Sequence, residues 1–302
     1  MDWKSRRVQA LLESALTEDK VTQDATSALT VDARLRASGA IVAKQPCIVA
    51  GLGCVPAILD IYAKLDKNSS SRYEFVCHPE MFDGVRARKG QVLGVIRHNA
   101  RVILACERVI LNLMQRMCGI ATLTRTYVEA VKGTGVRVLD TRKTVPGLRL
   151  LDKYSVLCGG GTNHRIDLAS GILIKNNHIA LGGGLRAALT RALENRKHHQ
   201  RIQVEVRNQQ ELEEALEYGA EAILLDNMTP DHVRQSVNRI KQAVAVNPGV
   251  GSEPRRIPTE ASGGIVLENI RAYAETGVDF ISVGALTHSA KAADISMRIV
   301  AE

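Results

Sequence analysis

Aromatic residues make up only 3% of this 302-residue chain, which leaves few stacking platforms for single-stranded nucleic acid. No apolar run approaches the ~18 residues that a membrane-spanning helix requires. The N-terminal stretch MDWKSRRVQALLESALTED lacks the apolar region of a signal peptide and carries Glu13, Glu18 and Asp19, so a cytoplasmic location is expected. The six cysteines (47, 54, 77, 106, 118 and 158) stand far apart, with no CxxC pair. That spacing predicts scattered, reduced core thiols rather than a disulfide frame or a zinc site. Cys158 sits beside Gly159–Gly161, but no activating partner is evident, so a core thiol is the better reading than a nucleophile. His198-His199 reads as surface.

What the chain does have is positive charge. A net charge of +8 implies an anionic partner, and the absence of a basic tail or zinc-finger spacing favours small anions over nucleic acid. The charge is concentrated at DTRKTVPGLRLLDKYSVLCGGGTNHR, residues 140–165. There an apolar run (Val136, Val138, Leu139) ends in Asp140-Thr141-Arg142-Lys143, and three glycines later lead into His164-Arg165.

Downstream, short apolar strands alternate with capped helices. Ile202–Val206 precedes Asn208-Gln209-Gln210-Glu211, a helix cap with its acid three residues on. Leu212, Ala215 and Leu216 form the helix stripe, and Gly219 stops it. Ala222–Leu225 is the next strand, and Thr229-Pro230 opens a helix that buries Val233, Val237 and Ile240. A further strand ends near Glu260, a helix is expected from about Leu267 to Thr276, and Phe280–Val283 closes the series. With Val136–Leu139 and Ile172–Ile174 added, the alternation predicts a parallel sheet, and its even spacing predicts a barrel. Residues 1–117 differ: Ala33–Ala43 and Tyr73–Ile96 alternate around turns at Asp83-Gly84 and Lys89-Gly90, which predicts a small antiparallel α+β domain. A helix over about 100–117 puts Arg108, Asn112, Gln115 and Arg116 on one face, either a solvated stripe or a helix presenting Arg108 to a site.

Barrel chemistry sits where strands end. Those positions hold Arg142 and Lys143, then Lys175 followed by Asn176, Asn177 and His178, then Glu205, Asp226 and Glu260, and last Gly284 with Thr287 and His288. Ser262-Gly263-Gly264 offers bare amides for phosphate, since Gly263-Gly264 precedes the expected helix. Glu205 and Asp226 lack cysteine or histidine companions, which suits magnesium shared with substrate phosphates rather than zinc. Leu224-Leu225-Asp226-Asn227 has one acid, not the paired acids of the short ribosyl-pyrophosphate motif.

The segments DTRKTVPGLRLLDKYSV, GGGTNHR, ILIKNNHI, VEV, LLDNM, EASGGI and SVGALTHSA, in that order, resemble the quinolinate phosphoribosyltransferases. LTED followed by QDAT, GAIVAKQPCIVAGL and ERVILNLMQRMCGIAT extend the likeness over nearly the whole chain. Asn176 stands where the family more often has an acid, and Cys118 where it has serine. The resemblance implies an incomplete seven-stranded, TIM-like α/β barrel over about 118–286. It also implies an N-terminal α+β open sandwich over 1–117, joined by a C-terminal segment of about 287–302. It implies a pentosyltransferase of NAD biosynthesis, joining quinolinate to phosphoribosyl pyrophosphate to give nicotinate mononucleotide, pyrophosphate and carbon dioxide. Arg142, Lys143, His164, Arg165, Lys175 and a partner subunit's Arg108 would hold quinolinate. Lys143, Lys175, Glu205 and Asp226 would be catalytic, with the two acids on magnesium, and Ser262, Gly263, Gly264, Gly284 and His288 would hold phosphate. The family works as a homodimer or larger. The alternative is a paralogue of the molybdenum-locus type with another ring acceptor, or a nicotinate phosphoribosyltransferase, which releases no carbon dioxide.

Overall fold

The computed structural model describes residues 1–66, 72–197, 200–246 and 256–302, so His198-His199 lies outside the described residues. The chain divides into two compact units: 1–125, 144–160 and 286–302 in the first, 126–143 and 161–285 in the second.

The first unit contains a four-stranded antiparallel sheet. β1 (Arg36–Ala43) pairs with the C-terminal strand Ile295–Ala301 on one side and with β5 (Val92–Asn99) on the other, and β3 (Glu74–Val76) lies beyond β5. β2 (Cys47–Ile48) and β4 (Arg86–Ala87) form a separate two-stranded ribbon. The expected turns are present, with φ of 98° at Gly84 and 83° at Gly90, backbone that glycine adopts without steric cost. Helices α1 (Arg6–Glu18) and α3 (Cys54–Leu65) contribute residues such as Leu12, Leu16 and Ile58 to the core, and the short α2 (Ala25–Thr30) lies between them in sequence. Each large side chain so buried contributes ~1.5–3 kcal/mol.

Helix α4 runs Ala100–Ala130, past the expected end near residue 117, because Ile120, Ala121 and Tyr127 continue its buried stripe. Gly119 does not break it: a Cβ there would lie 2.1 Å from the Lys291 carbonyl oxygen, so the glycine permits close approach of two backbones. The polar face separates into two parts. Arg108 and Asn112 are exposed, whereas Gln115 donates to Ile295 O at 2.7 Å and Arg116 forks onto Asp152 at 2.8 and 2.7 Å. Asp152 belongs to α5 (Arg149–Cys158) and is fully buried. Burial pushes the Cys158 thiol up to about 11, the behaviour of a core thiol and not of a nucleophile.

The second unit is an incomplete α/β barrel. Six parallel strands stand in the order β6 (Arg137–Leu139), β11 (Phe280–Ser282), β10 (Thr259–Ser262), β9 (Ala222–Asp226), β8 (Ile202–Val206), β7 (Ile172–Ile174). Helices α6 (Asn176–Leu181), α7 (Leu185–Asn195), α8 (Gln209–Glu217), α9 (Pro230–Val246) and α10 (Ile270–Ala274) follow the strands. A single parallel bridge, Leu139 to Thr162, takes the place of a seventh strand. It is closed by Thr162 N to Val138 O at 2.8 Å and Asp140 N to Thr162 O at 3.1 Å. No contiguous apolar run marks this one-residue contact.

Along β8, Ile202, Val204 and Val206 are buried on one face, and Gln203 and Glu205 alternate onto the other. Register then places Glu205, Leu224, Glu260, Phe280 and Arg137 in one row across the sheet, with Asp226 beside Ser262 further along the strands. Barrel interiors usually fill with branched apolar layers, whereas this row carries charge. Helix α8 opens as the sequence implies: Asn208 Oδ1 accepts Glu211 N at 2.9 Å, and Glu211 reaches back to Arg207 N at 2.8 Å.

Candidate active site

Lys143 and Lys175, just after β6 and β7, stand with Glu205 inside β8 and Asp226 at the end of β9. Lys175 Nζ donates to Glu205 Oε2 at 2.8 Å, on a carboxylate that is only 6% exposed. Asp226 has its pKa raised, chiefly by burial and further by the neighbouring Glu205; the Asn227 hydrogen bond, Lys175 and Lys143 oppose that rise. Glu205 is already paired with Lys175, and Asp226 feels one carboxylate and two ammonium groups around it. Among the described residues no group of three or more His, Cys, Asp or Glu could hold a metal. Glu205 and Asp226 are two carboxylates that could share an ion with substrate oxygens, the way magnesium is commonly held.

A second group is cationic. Arg142 Nε is buried without a hydrogen-bonding partner among the described residues. Arg165 has its pKa lowered by burial and then by the charge of Arg142, and its Nη1 donates to Gly171 O at 2.9 Å. Two guanidiniums held close enough to repel are stabilised by a planar carboxylate ligand, which accepts two hydrogen bonds from each fork. His164 lies between these arginines and the interior: its amide donates to the buried Asp140 Oδ1 at 2.8 Å, and its Nε2 is 3.4 Å from Glu260 Oε2. Glu260 is thus not a rim acid. It lies within β10, 3% exposed, and also accepts Gln203 Nε2 at 2.8 Å. Glu260 and Gln203 line a cavity of about 750 Å³ that extends to Arg137 and Ala222 at strand starts and shares His164 and Arg165 with the site.

The glycine loop departs from expectation. The helix after Ser262-Gly263-Gly264 opens at Ile270, not near Leu267, so these glycines form a turn and not a helix N-terminus. Asn269 causes the delay, accepting Val266 N at 2.9 Å and donating to Gly264 O at 3.1 Å. Gly263 (φ 91°) and Gly264 (φ 61°) both need left-handed backbone, and a Cβ on Gly263 would meet Asn227 Oδ1 at 2.3 Å. Gly284 follows β11, while Arg108 and His288 belong to the first unit, where both are exposed. Asn176 begins α6 and bonds Asn177 N at 2.7 Å; His178 Nδ1 accepts Lys175 N at 2.9 Å and fixes the backbone beneath that lysine.

Two domain models match the chain: quinolinate phosphoribosyl transferase N-terminal domain over residues 24–118 and C-terminal domain over residues 120–298. The chain belongs to the quinolinate phosphoribosyltransferase family. A probable nicotinate-nucleotide pyrophosphorylase (carboxylating) of Bacillus subtilis (strain 168) is 40% identical over 293 residues, covering 97% of this chain and 93% of that one. A mitochondrial quinolinate phosphoribosyltransferase (decarboxylating) 2 of Nicotiana glauca is 39% identical, covering 98% and 83%. The crystal structure of NadC from Streptococcus pyogenes superposes with a TM-score of 0.88 at 32% identity, covering 100% and 99%. Within this family frame, Asp140, Gln203 and Asn227 are functional candidates that the sequence reading passed over. Asp140 alone carried a signal, as an acid inside a basic strand end.

Proposed function

We propose that this chain transfers the phosphoribosyl group of phosphoribosyl pyrophosphate to quinolinate with decarboxylation, giving nicotinate mononucleotide, pyrophosphate and carbon dioxide. The observation that carries this reading is the pair Arg142 and Arg165, the first with Nε buried and without a hydrogen-bonding partner among the described residues and the second tied to Gly171 O, in a family whose relatives bear quinolinate names. A dicarboxylate is the ligand such a pair suits.

In this reading Arg142 and Arg165 grip the quinolinate carboxylates, with His164 beside them. Lys143 and Lys175 face both the ring acid and the pyrophosphate. Glu205 and Asp226 hold magnesium, which when bound offsets charge on the pyrophosphate. The turn Ser262-Gly263-Gly264, with Gly284 and His288, takes the 5-phosphate through amides and small side chains. Quinolinate's ring nitrogen forms the bond to the anomeric carbon as the bond to pyrophosphate breaks, and the leaving oxygens carry that electron pair. The resulting pyridinium accepts the pair from the adjacent carbon–carboxylate bond, so carbon dioxide departs and a proton replaces it. The lysines stabilise charge that develops on the leaving group, and alignment of both reactants removes much of the entropic barrier. The enzyme works as a cytoplasmic homodimer in which a partner subunit supplies Arg108, exposed on α4, to each site.

The test mixes the purified chain with quinolinate labelled in its 2-carboxylate, phosphoribosyl pyrophosphate and magnesium, and follows products by mass spectrometry. Nicotinate mononucleotide and labelled carbon dioxide should appear only when all components are present. Mononucleotide formed from nicotinate without carbon dioxide release would overturn the reading.

A further inference from the structure

Both ring nitrogens of His164 are engaged by the protein. Nδ1 accepts the Arg165 amide N–H at 2.7 Å, and Nε2 approaches Glu260 Oε2 at 3.4 Å. The same Glu260 oxygen accepts Gln203 Nε2 at 2.8 Å, and Glu260 Oε1 is buried without a hydrogen-bonding partner among the described residues. A buried carboxylate is costly, and a neutral side chain could fill this space more cheaply. What the carboxylate offers is that it can only accept. Facing Glu260, Nε2 must carry the proton, and Nδ1 is then left bare to accept the Arg165 amide. A glutamine at 260 can turn its NH₂ toward the ring, which moves the ring proton to Nδ1 and sets donor against donor at Arg165.

We infer that Glu260, acting through His164, is a positioning residue that fixes the Arg165 backbone and hence the carboxylate grip. Gln203 holds Glu260, Glu260 sets the His164 tautomer, and His164 holds the Arg165 amide. The guanidinium, tied to Gly171 O at its other end, is then aimed without freedom to follow a differently shaped acid. This inference rests on the quinolinate reading above.

Steady-state kinetics on Glu260→Gln, His164→Asn and His164→Ala test it. Losing a hydrogen bond to a charged group predicts a KM for quinolinate raised roughly 10- to 100-fold in Glu260→Gln, with the KM for phosphoribosyl pyrophosphate within about twofold of wild type. The amide oxygen of the introduced asparagine can replace Nδ1, so His164→Asn should retain most of what His164→Ala loses. Nitrogen-15 NMR of wild type should show His164 protonated at Nε2 alone. An unchanged quinolinate KM in folded Glu260→Gln, equal rises for both substrates, or His164→Asn as impaired as His164→Ala would overturn the inference. Should Glu260→Gln fail to fold, wild-type His164 protonated at Nδ1 would overturn it equally. An inactive wild-type enzyme would instead sink the quinolinate reading.

Discussion

Arg142 and Gly263 carry the sharpest expectations at the scale of single residues. Replacing Arg142 with alanine removes a charge-assisted contact to a carboxylate, so kcat/KM for quinolinate should fall roughly 10- to 100-fold while circular dichroism stays unchanged. Gly263→Ala meets two obstacles at once, a φ of 91° and the Asn227 side chain where the Cβ must go. Thermal or denaturant unfolding should register a loss of about 1–3 kcal/mol, and affinity for phosphoribosyl pyrophosphate should drop with it. The basic residues were legible because Arg142, Lys143 and His164-Arg165 follow apolar or glycine runs where side chains of that charge have no packing role. Their pairings were not. Asp140 with His164, and His164 with Glu260, join residues far apart in sequence, and only the folded sheet register sets those distances.

At the scale of elements, capping chemistry was the most readable signal. Asn208→Ala removes the bond from Asn208 Oδ1 to Glu211 N and should cost about 1 kcal/mol, measurable as a lowered denaturation midpoint at unchanged slope. Helix α4 was legible at its start and not at its end, since Gly119 reads as a stop until its close approach to the Lys291 backbone is seen. The bridging Thr162 carries no strand signal because one residue has no periodicity. β8 and β10 are not neighbours, yet Gln203 and Glu260 tie them across β9. Burial raises the Glu260 pKa, but His164 and Gln203 outweigh it and leave the value below the usual 4.5. A folded-state pKa below the unfolded one adds stability above about 4.5, lost as pH falls through the folded value. Thermal midpoints should therefore drop below that pH in wild type, and more gently in Glu260→Gln.

For the whole molecule, the proposed sharing of each site between two subunits makes a test that needs no structure. Arg108→Ala and Lys143→Ala homodimers should each be nearly inactive. Refolded together, they should recover about a quarter of wild-type activity, because half the dimers are mixed and each mixed dimer holds one intact site. Recovery absent in a demonstrated mixture would put Arg108 outside its neighbour's site. The fold class was visible from alternation alone, since strands and capped helices recur with even spacing; the two-part chain path was not, because residues 144–160 leave the barrel unit without a change in composition.

The incomplete barrel leaves open ends. A closed barrel has no strand edge, whereas this sheet ends at β7 on one side and at the Thr162 bridge on the other. An exposed edge is a template on which another chain can add a strand. Here β7 is three residues long and is followed at once by Lys175, while the opposite end offers a single bridged residue. Neither is long enough to seed intermolecular pairing, so the gap in the barrel carries little aggregation risk. Lengthening β7 by a few apolar residues should supply that template and make the protein polymerise.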